Sequence, residues 1–87
     1  MRDVYGVAAF RSRQQVLRFE AVLRQRGVPT QVVTTPRDIS MGCGLSVRFP
    51  MERLGEVRRA LLTSNPGNLI GLYRAEYDGA RLRVTRA

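Results

Sequence analysis

The sequence predicts an α+β domain, an antiparallel sheet carrying two helices on one face. Three observations lead there. Short runs rich in β-forming residues alternate with two longer stretches whose apolar residues recur at helical spacing. Gly, Pro and Asn punctuate nearly every junction between them. The 87 residues, 44% hydrophobic and 25% charged, suit one folded domain with a single core.

Val4-Tyr5-Gly6-Val7-Ala8-Ala9-Phe10 is an apolar run that reads as a buried first strand. Ser12 stands where an N-cap belongs, with Gln15 three residues later as in a capping box. Residues 13–26 contain neither Gly nor Pro, and Val16, Phe19, Val22 and Leu23 share one helical face, while Arg18 and Arg24 point away. Gly27 supplies the C′ stop, and Pro29 prevents continuation.

Residues 30–34, rich in Val and Thr, form the second expected strand, which Pro36 ends because proline lacks a ladder N–H. Residues 36–44 are then a loop. Leu45-Ser46-Val47-Arg48-Phe49 alternates apolar and polar, as a half-buried third strand does. Pro50 suits the start of a second helix, with Met51, Leu54, Val57, Leu61 and Leu62 as its apolar stripe. Gly55 costs that helix about 1 kcal/mol relative to alanine. Asn65-Pro66-Gly67-Asn68 stops it. A fourth strand begins at Leu69 and extends toward Tyr77. Asp78-Gly79 signals a hairpin into a short, basic edge strand over Arg81–Thr85.

The order is β-α-β-β-α-β with a strand added at the C-terminus, which predicts a ferredoxin-like two-layer sandwich. We expect a single domain over 1–87, with the ferredoxin-like core at 1–73 and a C-terminal hairpin extension at 74–87. No apolar run approaches a membrane span. The apolar segment after Met1-Arg2-Asp3 is short for a signal peptide and is followed by no cleavage site. The expected location is the cytoplasm, with no membrane partner.

All 15 basic residues are arginine, set against 7 acidic residues, for a net charge of +8. The chain has no His, no Trp and one cysteine, Cys43. Without lysine there is no Schiff-base chemistry, and without histidine no Ser-His or Cys-His dyad. One thiol and no imidazole make a zinc site, or any other metal site, unexpected, and an internal disulfide is excluded. No cofactor is expected either. The charge itself has two readings. One is a polyanionic partner. The other is a coding bias toward arginine, consistent with arginines scattered along the whole chain.

In the predicted topology, the 36–44 loop and the N-terminus of the first helix share one edge of the sheet. Cys43 would lie there beside Arg11, Ser12, Arg13 and Arg37. A helix N-terminus and nearby cations favour thiolate over thiol. Gly42 and Gly44 would let a partner approach closely. The competing reading is a packing cysteine, because free cysteine is commonly buried and Cys43 keeps period two with Leu45.

The stretch Pro36-Arg37-Asp38-Ile39-Ser40-Met41-Gly42-Cys43-Gly44-Leu45-Ser46-Val47-Arg48 resembles the selenium/sulfur carrier-like family, whose signature is Pro-Arg, a polar residue, then Cys-Gly and an apolar strand. Phe10, Ser12, Leu17, Glu20, Leu23 and Gly27-Val28-Pro29 extend the resemblance upstream. It is good over 4–50, holds by pattern over 51–73, and leaves 74–87 as an extension. The resemblance implies that Cys43 bears sulfur or selenium as a persulfide or perselenide. It further implies that Gly44 keeps the approach open, Arg37 steadies the anion and Pro36 fixes the loop. The implied partners are a donor, such as a cysteine desulfurase, and an acceptor enzyme. The chain lacks the Cys-Pro-x-Pro helix start of better-known sulfur-transfer proteins, and it has no general base, so it is expected to be a carrier and not an enzyme in its own right.

Other sites have alternatives. Arg37 is either an anion clamp or a turn residue paired with Asp38. Glu20 either pairs with an arginine at the site or borders the core. Glu52, Glu56 and Arg59 read as a solvated, salt-bridged helix face. Gly42-Cys43-Gly44 as a phosphate cradle is disfavoured, since it precedes a strand and not a helix. An oligomeric interaction or small-ligand-binding module remains an alternative function. RNA binding is a further one, but the third strand lacks the aromatic RNA-recognition pattern and the first offers only Tyr5.

Overall fold

Strand β1 (Asp3–Phe10) lies at the centre of the sheet, and its unbroken run of buried residues from Gly6 to Phe10 reflects coverage on both faces. It is followed by α1 (Arg13–Gln25), β2 (Gln31–Thr34), β3 (Leu45–Phe49), a 3-10 turn (Met51–Arg53), α2 (Leu54–Ser64), β4 (Leu69–Asp78) and β5 (Arg81–Arg86). The computed structural model describes residues 3–39 and 44–87. The fold is α+β: the described residues form one five-stranded sheet ordered β2-β3-β1-β4-β5, with every pair antiparallel, and two α-helices.

Local sequence explains the ends of the elements. The Ser12 hydroxyl accepts the Gln15 N–H at 3.4 Å and starts α1. At the other end, Gly27 takes φ 77°, and the Gly27 and Val28 amides bond the Arg24 and Leu23 carbonyls. This is a Schellman stop, which needs a residue tolerant of the left-handed region. Asn65, at φ 46°, closes α2 in the same region. The β4–β5 turn falls at Gly79-Ala80, with Gly79 at φ 67° and Asp78 opposite Arg81.

The core lies between the helices and one face of the sheet. Val16, Phe19 and Leu23 of α1 and Val57 and Ala60 of α2 pack with Ala8, Phe10, Val47 and Phe49 of β1 and β3. Phe10 and Phe19 meet at 5.5 Å between ring centroids. Both helices join the same cluster, so they cover the same face. Register assigns the rest: residues opposite Ala8 and its period-two neighbours share the helix side, and those opposite Tyr5 and Val7 share the other.

Four expectations need correction. Leu62 is 83% exposed, and Ala60 takes the buried place on α2 instead. At 100° per residue, Leu62 turns away from the stripe set by Leu54, Val57 and Leu61. Pro50 does not begin an α-helix; it precedes a 3-10 turn in which the Arg53 amide bonds the Pro50 carbonyl at 3.0 Å. Ser46, the polar position of a half-buried strand by its alternation, is fully buried. Glu56 bonds Arg53 at 2.7 Å, on the other side from Arg59. Strand β4 runs unbroken through residues 73 and 74 and pairs with β1 across that point.

Candidate functional site

The hairpin between β2 and β3 is closed at its neck by two residues. The Thr35 amide donates to the Gly44 carbonyl at 2.9 Å. Beneath it the Thr35 and Ser46 hydroxyls bond at 2.6 Å, both residues being buried. A buried hydroxyl pair is stable only when both partners are satisfied, so this contact fixes how the two strands leave the sheet. Beyond the neck the Ile39 amide bonds the Pro36 carbonyl at 3.0 Å and closes a turn that carries Arg37 and Asp38, both exposed. Cys43 and Gly42 lie outside the described residues.

The start of α1 reaches the same end of the sheet. Arg11 and Arg13, both exposed, join Thr34, Gly44 and Leu45 in lining a cleft of about 520 Å³. The Arg11 amide is tied to the Asn68 carbonyl at 2.7 Å, which anchors this corner to the entry of β4. Two guanidiniums and the N-terminal amides of α1 make the cleft electropositive. Ser12 contributes as the helix cap. Among the described residues, Arg11, Arg13 and Gly44 are thus brought together, whereas Arg37 and Pro36 sit on the neighbouring turn and not in the cleft wall. Leu45 and Val47 pack against the core, as their alternation predicted.

The remaining sequence candidates resolve as surface pairs. Glu20 bonds Arg24 one helical turn away at 3.3 Å. The Arg53 guanidinium hydrogen-bonded to Glu56 holds that carboxyl below its ordinary value of 4.5, assisted by the charges of Arg59 and Arg26. No group of three or more metal-ligating side chains occurs among the described residues. No helix among them is long and apolar enough to cross a membrane.

Sequence reasoning missed two features. The Thr35–Ser46 pair was hidden because each residue alone looks like an ordinary polar strand position. The second is the assembly of tyrosines. Tyr5 faces Ala75 across the β1–β4 pair, and Tyr73 and Tyr77 flank Ala75 two residues away on either side. All 3 tyrosines of the chain therefore share the face without helices. The only advance signal was the even, four-residue spacing of Tyr73 and Tyr77, which puts both on one face of a strand.

The family model described as "Putative Se/S carrier protein-like" matches residues 5–73. The chain belongs to this family. The match runs from Tyr5 within β1 through the first half of β4, with Cys43, the hairpin neck and the arginine-lined cleft inside it. The C-terminal part of β4 and all of β5 lie beyond the matched region. No curated relative and no solved structure matches the chain significantly.

Proposed function

We propose that this protein is a cytoplasmic carrier that holds sulfur or selenium on Cys43 and passes it to a partner enzyme. The observation that carries the reading is the cleft in which Gly44, the residue after Cys43, meets Arg11 and Arg13 at the start of α1. Family membership supports it, since the matched region includes the chain's only thiol. Cations and a helix N-terminus favour the thiolate and the anionic persulfide formed from it. Pro36 and Arg37, on the turn before Cys43, supply a rigid approach and one more cation.

The chemistry is sulfur exchange. The Cys43 thiolate attacks the terminal sulfur of a donor persulfide, such as that of a cysteine desulfurase, and the donor's thiolate leaves. An acceptor nucleophile then attacks the terminal sulfur on Cys43, and the Cys43 thiolate is released. No electrons are gained or lost by the carrier over the cycle, so it needs no cofactor of its own. A reducing compartment keeps an unpaired thiol free for this role. A ferredoxin-like description of the fold is supported by the β-α-β-β-α-β order and by β1 lying between β3 and β4; β5 then extends the sheet.

Intact-mass spectrometry after incubation with cysteine and a desulfurase tests the reading. The expected result is a gain of one sulfur that reductant removes and that Cys43→Ser abolishes. No gain under conditions that load an established carrier would overturn it.

A further inference from the structure

The aromatic residues are divided between the two faces of the sheet. Phe10, Phe19 and Phe49 are buried in the core on the helix side. Tyr5, Tyr73 and Tyr77 stand on the other side, over which no helix of the described chain passes. That face is apolar at its centre, where Val7, Ala9 and Ala75 have no exposed surface and lie covered by the side chains around them, with Leu82 and Val84 half-buried beside them on β5. The Tyr73 ring lies along the sheet, near enough that a Cβ on Gly71 would come within 3.1 Å of its hydroxyl. Tyr77 is 46% exposed.

Two arginines join these rings. The Arg48 guanidinium sits over Tyr5, 3.9 Å from the ring centroid, and that of Arg86 lies 5.8 Å from the centroid of Tyr73. Asp3 is also on this face, 3.6 Å from Arg48. Tyr5 is diagonal to both Tyr73 and Tyr77, and such positions are about 7–8 Å apart. That spacing lets successive unstacked bases occupy successive rings.

We propose that this open face binds single-stranded RNA, with bases stacked on Tyr77, Tyr73 and the Tyr5–Arg48 pair and with Arg86 on a phosphate. Unpaired bases stack on aromatic rings and on guanidinium planes, and the phosphates supply the charge that arginine takes. A second copy of this chain is the poorer occupant. Face-to-face closure would press Arg48 and Arg86 against the same cations of another chain of net charge +8. RNA is the polynucleotide that ordinarily offers unpaired bases, which decides between it and DNA. The site shares no residue with the cleft lined by Arg11, Arg13 and Gly44, and its Tyr77 and Arg86 lie beyond the region shared with the family model.

Fluorescence anisotropy with a labelled single-stranded RNA of about ten nucleotides tests this, because binding sites of this kind span about 4–16. The expected result is binding that Tyr77→Leu weakens about tenfold and Tyr77→Phe leaves intact. Arg86→Gln should lower the slope of log affinity against log salt by about 0.7, while Arg58→Gln on α2 leaves Tyr77-dependent binding unchanged. Circular dichroism confirms that each variant is folded. The proposal is overturned by absence of binding at low salt, or by indifference to Tyr77→Leu. Tighter binding of a duplex RNA, or of a DNA oligomer of the same sequence, also overturns it. So does a dimer in sedimentation that Tyr77→Leu dissociates, which would give the face to a second copy.

Discussion

Thr35 and Gly44 face each other across the neck of the hairpin that carries Cys43, joined by a 2.9 Å backbone bond. The Thr35 hydroxyl also lies where it would stand only 3.2 Å from a Cβ placed on Gly44. The same hydroxyl bonds Ser46 in the interior. One threonine therefore ties the strand ends together and fills the space beside the residue that follows the thiol.

That arrangement makes the hydroxyl pair a measurable unit. Thr35→Val leaves the buried Ser46 hydroxyl without its partner and should cost about 1–3 kcal/mol in urea unfolding. The double variant Thr35→Val/Ser46→Ala should recover much of that loss, because removing both polar groups removes the desolvation penalty. Equal stability of the single and double variants would contradict the coupling.

Gly6 makes a closer fit. It pairs with Phe49 across β1 and β3, and the Phe49 ring occupies the space a Cβ would need. Gly6→Ala should destabilise by about 1–3 kcal/mol through overpacking. Adding Phe49→Leu should be less costly in the Gly6→Ala background than in the native chain. A thermodynamic cycle measured by chemical denaturation checks the sign of that coupling.

On α2 the contrast between Val57 and Leu62 tests where the core ends. Val57→Ala should cost about 2 kcal/mol, since Val57 is fully buried. Leu62→Ser, at an 83% exposed position, should stay within about 0.5 kcal/mol of the native chain. Comparable losses at both sites would mean that Leu62 is covered by something in solution.

Glu56 gives a pH signature. Its folded-state pKa is below the ordinary 4.5 because Arg53 hydrogen-bonds the carboxylate. A lowered pKa means that the pair's contribution to stability is fully present above 4.5 and is lost as pH falls from there through the folded value. Arg53→Gln should raise the titration midpoint of the Glu56 carboxyl toward 4.5, followed by NMR. An unchanged midpoint would assign the shift to other charges.

Much of the fold was legible because each element carries its own local signal. Ser12 caps α1, Gly27 ends it, Pro36 and Pro50 bracket the hairpin, and Asp78-Gly79 marks the last turn. These depend on φ/ψ preference and on missing or supplied hydrogen bonds within a few residues. The exposure of Leu62 and the partner of Glu56 in its salt bridge were not legible, for the converse reason. A pattern of leucines does not say where the helix face ends, and Glu56 has arginines on both sides at helical reach, of which only packing selects Arg53.

The sequence by itself determined the element order, the single thiol, the absence of histidine and lysine chemistry, and the family resemblance around Pro36-Arg37 and Gly44. Only the tertiary structure decided which distant residues share a surface. Arg11 and Arg13 reach Gly44 because β2 returns the chain to the end of the sheet where α1 begins. Tyr5 meets Tyr73 and Tyr77 because the β1–β4 register sets Tyr5 opposite Ala75. A slip of one residue would have sent the tyrosines of the two strands to opposite faces, and register is fixed by burial summed over the whole sheet and not by any short segment.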